Sequence, residues 1–312
     1  MNTVFIACIA ACYLPTLAIE IVRRQSVLEP VDGETSVHRI TFSFLATVFL
    51  TLIGICIQTW YLMGKIDIVD DLTPLSSLQG GFLSASWLLS IIFLASLRRS
   101  YGSIFSILIM TASLCLITLA LCWGSDQTFP RQPVMHSWGI IHGLSQLTFF
   151  VSLTIGLIVG ILYLWQDRRL KQRLSLVTWK LPSLERLARA NRSSLIWALV
   201  ALAPGIVSGV VLLNARHGTI SFADFAFNPA ILGSLIIFIW ILLTIIRSTL
   251  MGALTEARAT ARRTIFLFVL LAISLVAAYF TPNGHLRSEW SSSQSSPEIQ
   301  KTESLPVQED AL

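Results

Sequence analysis

Residues 138–171 read WGIIHGLSQLTFFVSLTIGLIVGILYLWQDRRLK. The 28 residues from Trp138 to Trp165 contain no Asp, Glu, Lys or Arg, and then Asp167, Arg168, Arg169 and Lys171 arrive together. About 20 apolar residues in a helix cross the hydrocarbon core of a bilayer, so this stretch predicts a membrane span with a basic exit. It shows no period-two alternation, which excludes a strand of a membrane barrel.

The rest of the chain follows the same pattern. Of 312 residues, 54% are hydrophobic and 12% charged, with a mean hydropathy of +0.72. Soluble domains carry roughly 25% charged and about 45–50% apolar residues, so a water-soluble fold is excluded. Eight apolar stretches fall near 3–22, 40–63, 75–97, 102–123, 138–165, 194–214, 229–250 and 263–281. The expected fold is all-α: a polytopic membrane domain of about eight helices over 1–285. Residues 286–312, rich in Ser, Glu, Gln and Pro, are expected to form a disordered external tail.

Charge sets the orientation. With the N-terminus outside, the inner loops and helix ends collect 17 of the 22 basic residues, whereas the outer side holds 10 of the 17 acidic ones. Cytoplasmic loops are the Lys- and Arg-rich ones, so both termini are predicted outside and the net charge of +5 follows the membrane rather than a nucleic acid. The first span lacks a basic start and is followed by Arg23 and Arg24, the reverse of a secretory signal. That missing basic start also argues against lipidation at Cys12, despite its Ile9-Ala10-Ala11 approach. The five cysteines lie in or at the ends of spans without a CxxC pair, which predicts packing residues rather than a zinc or redox site. The inner segment 166–193 has eight basic residues, with Leu181, Leu184 and Leu187 spaced along one helical face. It is expected to lie against the anionic leaflet or to dock a partner.

Four of the five histidines, His136, His142, His217 and His285, fall on the outer side, and His38 on the inner. Imidazole is a common axial ligand of haem iron. His142, near the start of the fifth span, and His285, just beyond the eighth, are placed to approach a porphyrin from two elements. Idle histidines at helix ends fit the same positions. Apart from Glu20, near the inner end of the first span, no span carries an ionisable residue well inside it, which argues against a proton-coupled transporter. A membrane hydrolase would need a nucleophile with its base or an HExxH-type motif, and the sequence has neither.

His142-Gly-Leu-Ser145, the exit Ile161-Leu-Tyr-Leu-Trp-Gln-Asp-Arg-Arg-Leu-Lys171, the segment Lys180-Leu-Pro-Ser-Leu-Glu-Arg-Leu187, the small residues Pro204, Gly205, Ser208 and Gly209, and the ending Asn283-Gly-His285 together resemble the cytochrome c assembly protein family. That family includes CcsA-, CcmC- and HemX-like members, and the resemblance is nearest the HemX-like branch. It covers 138–285; residues 1–130 agree in hydropathy only. It implies His142 and His285 as external axial ligands of a non-covalent haem b, with His136 as a competitor for the first position. In CcsA- and CcmC-type members a tryptophan-rich outer segment cradles haem. Its counterpart here is Phe222-Ala-Asp-Phe-Ala-Phe-Asn-Pro229, where Phe225 and Phe227 replace tryptophans and Asn228 an aspartate. Aromatic rings stack on a porphyrin, but the indole donors are gone, and an aromatic belt at the membrane interface explains the same residues.

The resemblance further implies a place in the inner (cytoplasmic) membrane. It implies haem, apocytochrome c and other assembly proteins as partners, and a component of a haem-attachment system rather than an enzyme in its own right. The alternative is a cofactor-free transporter or scaffold that kept the fold and lost the haem site.

Overall fold

The computed structural model describes residues 2–26, 33–66, 75, 77–98, 103–122, 136–172, 182–217, 229–252 and 255–280. These residues form eight α-helices and no strand: α1 (Asn2–Ser26), α2 (Gly33–Met63), α3 (Leu78–Arg98), α4 (Ser103–Cys122), α5 (His136–Lys171), α6 (Leu184–His217), α7 (Pro229–Leu250) and α8 (Ala257–Phe280). The helices α1 to α7 are long and apolar enough to cross a membrane, which makes the chain a multi-pass membrane protein. Helix α8 covers the eighth apolar stretch, but Arg258, Arg262 and Arg263 occupy its first turns and it is not among the seven.

Hydrocarbon offers a backbone no hydrogen-bond partner, so a spanning segment has to satisfy its N–H and C=O groups within itself. The side chains show the same constraint turned outward. Phe42, Phe49, Trp60, Trp197, Leu243 and Leu250 are exposed on the exterior, whereas Thr16, Thr47, Thr51, Gln58, Ser86, Ser90 and Ser113 are wholly buried. Four of the five cysteines, Cys8, Cys56, Cys115 and Cys122, also face outward, so they are not the packing residues expected of them.

The helices close into two groups of four. In the first, α1 and α3 each pack against both α2 and α4; in the second, α5 and α7 each pack against both α6 and α8. Helix α5 also touches α3 and α4, so it belongs to the second group and ties it to the first. Its 36 residues span about 54 Å at about 1.5 Å per residue, well beyond a hydrocarbon core of about 30 Å. Gly160 brings it close to α8, where an added Cβ would stand 3.3 Å from the Ala261 carbonyl oxygen.

Inside the first group, the Tyr13 hydroxyl donates to Gln58 Oε1 (2.9 Å). The Gln58 amide donates in turn to the Leu83 carbonyl (2.8 Å) and to Ser86 Oγ (2.5 Å). The hydroxyls of Ser90 and Ser113 pair at 3.0 Å. This chain links α1, α2 and α3, and α3 to α4, through groups that have no water to turn to. Glu20 is 0% exposed and accepts a 2.6 Å bond from Arg23, whose guanidinium lies over the Phe44 ring.

Two boundaries differ from the sequence reading. Residues 184–193, expected within a surface segment, are the first turns of α6. Ser183 caps that helix: its Oγ accepts from the Arg186 N–H (3.3 Å) and its carbonyl from the Leu187 N–H (3.1 Å), as an N-cap serine does. Leu187 and Ala188 are then buried in the core shared with α5, not laid on a leaflet. At the other boundary, α5 starts at His136, two residues ahead of the apolar stretch 138–165. The proposed tail, 286–312, lies outside the described residues.

The ring of Tyr13 fills the space a side chain at Gly54 would take. Gly54→Val is expected to destabilise the first group by about 1–3 kcal/mol, as overpacking does. A lower midpoint of thermal unfolding in detergent, followed by tryptophan fluorescence, checks this; an unchanged midpoint would place Tyr13 elsewhere.

Candidate functional site

Of the proposed site residues, His142 is the one whose side chain the structure describes. Its backbone sits six residues into α5. His136 opens the same helix, but its side chain is outside the described residues, as are Phe225, Phe227, Asn228 and His285 altogether.

The imidazole of His142 points into the seam between α5 and α6. Its Nδ1 lies 2.9 Å from the Gly205 carbonyl oxygen and 3.3 Å from Ser208 Oγ. A carbonyl only accepts, so Nδ1 carries the proton. Ser208 cannot be the donor in that contact while its hydroxyl hydrogen serves the Pro204 carbonyl at 2.6 Å. In the neutral ring the lone pair is therefore on Nε2, the nitrogen that would ligate a metal. Ligating histidines commonly hold their other N–H on a carbonyl or carboxylate in this way, which fixes both tautomer and ring orientation.

The seat is built by a local sequence. Pro204 lies inside α6 and has no N–H to return to the preceding turn. Gly209 removes the side chain that would block the histidine, and Gly205 the one that would block Gln146. A Cβ on Gly209 would stand 3.1 Å from His142 Cε1, and one on Gly205 3.2 Å from Gln146 Nε2. His142 and Gln146, one turn apart on α5, thus occupy the two gaps left by the two glycines. At about 1.5 Å per residue, His142 is about 9 Å along α5 from its first residue and Gly205 about 18 Å from the last residue of α6.

Ser208, Gly205 and Gly209 were legible as a small-residue run, and His142 as a candidate ligand. Their meeting was not, because 63 residues separate His142 from Gly205. Tyr163, part of the exit motif, is buried, and the Oε1 of Gln166 is buried without a hydrogen-bond partner. Among the described residues, no group of three or more His, Cys, Asp or Glu is placed to hold a metal ion. The chain matches no protein-family model, no curated protein and no solved structure.

Interhelical hydrogen bonds inside membranes contribute about 0.6 kcal/mol on average. A double-mutant cycle of His142→Ala and Ser208→Ala, read from unfolding in detergent, is expected to return a coupling of about that size. Strict additivity would remove Ser208 from the seat.

Proposed function

We propose that this protein binds or presents haem at the outer face of the inner membrane, in the manner of the cytochrome c assembly proteins and nearest their HemX-like branch. The observation that carries the reading is the seat of His142. An imidazole fixed through Nδ1 on a backbone carbonyl, at the end of α5 opposite its Arg168–Lys171 exit, has the tautomer an axial ligand needs. The sequence supports the same reading through His285, at the same end of the predicted topology, and through the order of the exit, Lys180–Leu187 and Asn283–His285 motifs.

In this reading the chain crosses the membrane eight times, with α8 as the last span and both termini outside. His142 and His285 would hold a non-covalent haem b through its iron, with His136 competing with His142 for the first position. The resemblance would set Phe225 and Phe227 against the porphyrin and puts Asn228 at the family's aspartate position. The haem supplies the redox-active group to be delivered or sensed. The chain's own contribution is to orient one imidazole and, by holding the proton on Nδ1, to fix its lone pair on Nε2. Apocytochrome c and further assembly proteins are the partners this implies, and the attachment reaction belongs to the system rather than to this chain alone.

A cofactor-free transporter or scaffold is the second reading, favoured by the fact that the Nδ1 bond also serves simply to pack α5 on α6.

Absorption spectra of the detergent-purified protein, oxidised and then dithionite-reduced, separate the two. A six-coordinate haem signal that weakens in both His142→Ala and His285→Ala is expected. A colourless protein that also fails to take up added haemin supports the scaffold reading instead.

A further inference from the structure

At the basic end of the second helix group the interior changes character. Toward the histidine end its core is apolar: Phe149, Leu202, Ile237 and Leu267. Toward the basic end three of the group's helices, α6, α7 and α8, present Asn191, Ser194, Thr244, Ser248, Thr260 and Thr264, each at least nine-tenths buried. Gly156 is where three of these meet, since a Cβ there would stand 2.8 Å from Ser194 Oγ, 3.0 Å from Thr264 Cγ2 and 3.7 Å from Asn191 Oδ1.

Charged groups surround this polar end. Glu256 lies between Arg247 (3.5 Å) and Arg263 (3.4 Å), Asp167 is 3.4 Å from Arg258, and Arg192 donates through Nη2 to Thr249 (2.9 Å). The four arginines outnumber the two carboxylates, so the local balance is positive. Several buried polar atoms of this end nevertheless have no hydrogen-bond partner: the donors Arg192 Nε and Thr260 Oγ1 and the acceptors Asn191 Oδ1 and Gln166 Oε1, while Arg263 Nη1 and Glu256 Oε2 meet only each other, as an ion pair without a hydrogen bond. Asn191 is 2% exposed and Thr260 3%, so bulk water does not serve them. A buried polar group left without a partner is costly, and four at one end of one helix group, beside an ion pair that makes no hydrogen bond, call for a ligand that supplies both acceptors and donors.

We propose that this end binds a phosphate ester carrying hydroxyl groups. The phosphate oxygens accept from Arg192, Arg263 and Thr260, in the charge-assisted bonds that favour arginine for this anion. The ester's hydroxyls donate to Asn191, Gln166 and Glu256, whose own charge is offset by the arginines on either side. Two sources carry this chemistry: the headgroup of a glycerophospholipid such as phosphatidylglycerol, taken from the leaflet at the basic end, and a soluble polyol phosphate. The site is distant from His142 and stands independently of the haem reading.

The test uses the full chain in detergent, with thermal unfolding followed by tryptophan fluorescence. Phosphatidylglycerol and glycerol 3-phosphate are titrated separately, against phosphatidylcholine and potassium chloride as controls. A ligand that binds only the folded protein raises its midpoint. The expected result is a saturable rise with at least one of the two phosphate esters; a rise with the lipid alone assigns the leaflet source, and one with glycerol 3-phosphate the soluble source. The Arg192→Gln/Arg263→Gln double variant is expected to bind about tenfold more weakly or worse, the equivalent of about 1.4 kcal/mol. Asn191→Ala is the milder variant should the double one fail to fold, and is also expected to weaken binding. Arg189→Gln, on the same helix but exposed and paired with Glu185, is expected to bind as the parent does. No rise above the controls with either ester, or an equal loss in Arg189→Gln, overturns the proposal.

Discussion

Hydrocarbon supplies no hydrogen bonds, so every polar group on these helices has to find its partner inside the bundle. That constraint turns the usual arrangement of a protein inside out. Lipid-facing positions carry Phe42, Trp60, Trp197 and Leu243, while hydroxyls, amides and a carboxylate are gathered between helices. Tyr13, Gln58 and Ser86 in the first helix group and His142, Gly205 and Ser208 in the second are local answers to the same requirement. Each ties together elements that lipid would otherwise leave with only van der Waals packing to associate them.

Helix α5 carries the consequences furthest. It lines the second group, bridges to α3 and α4 of the first, and bears His142 near one end and the Asp167–Lys171 cluster at the other. Glycines allow it to do so. Gly156 and Gly160 bring α6 and α8 close near the basic end, and Gly209 on α6 leaves room for the imidazole near the other. The two ends are chemically distinct, one organised around a neutral ring on a carbonyl and the other around arginines in excess of carboxylates.

Much of this was legible in the sequence, because one-dimensional signals report it directly. The absence of charge from Trp138 to Trp165 locates a helix without knowledge of its neighbours, and so do the other apolar stretches. His142 stood out for its position at a span's start. What a hydropathy pattern does not encode is which face meets which. The approach of His142 to Gly205 depends on a kink-prone Pro204 and a missing side chain at Gly209 on another helix. The start of α6 was misread because Glu185, Arg186, Arg189 and Arg192 make 184–193 look like a solvated surface segment. The Ser183 cap and the burial of Leu187 make it part of the helix. The outward-facing cysteines escaped for a related reason: a small apolar residue suits lipid as well as a helix seam.

The seat of His142 is the point on which the structural and functional readings meet, and its protonation can be measured directly. Nitrogen-15 spectra of histidine-labelled protein, with His142→Ala used to assign the signal, report which ring nitrogen holds the proton. The expected result at neutral to mildly alkaline pH is a single neutral tautomer, protonated and hydrogen-bonded at Nδ1 with Nε2 of pyridine type. A proton on Nε2, or fast averaging between the two tautomers, would contradict the bond to Gly205 and remove the basis for His142 as an oriented ligand.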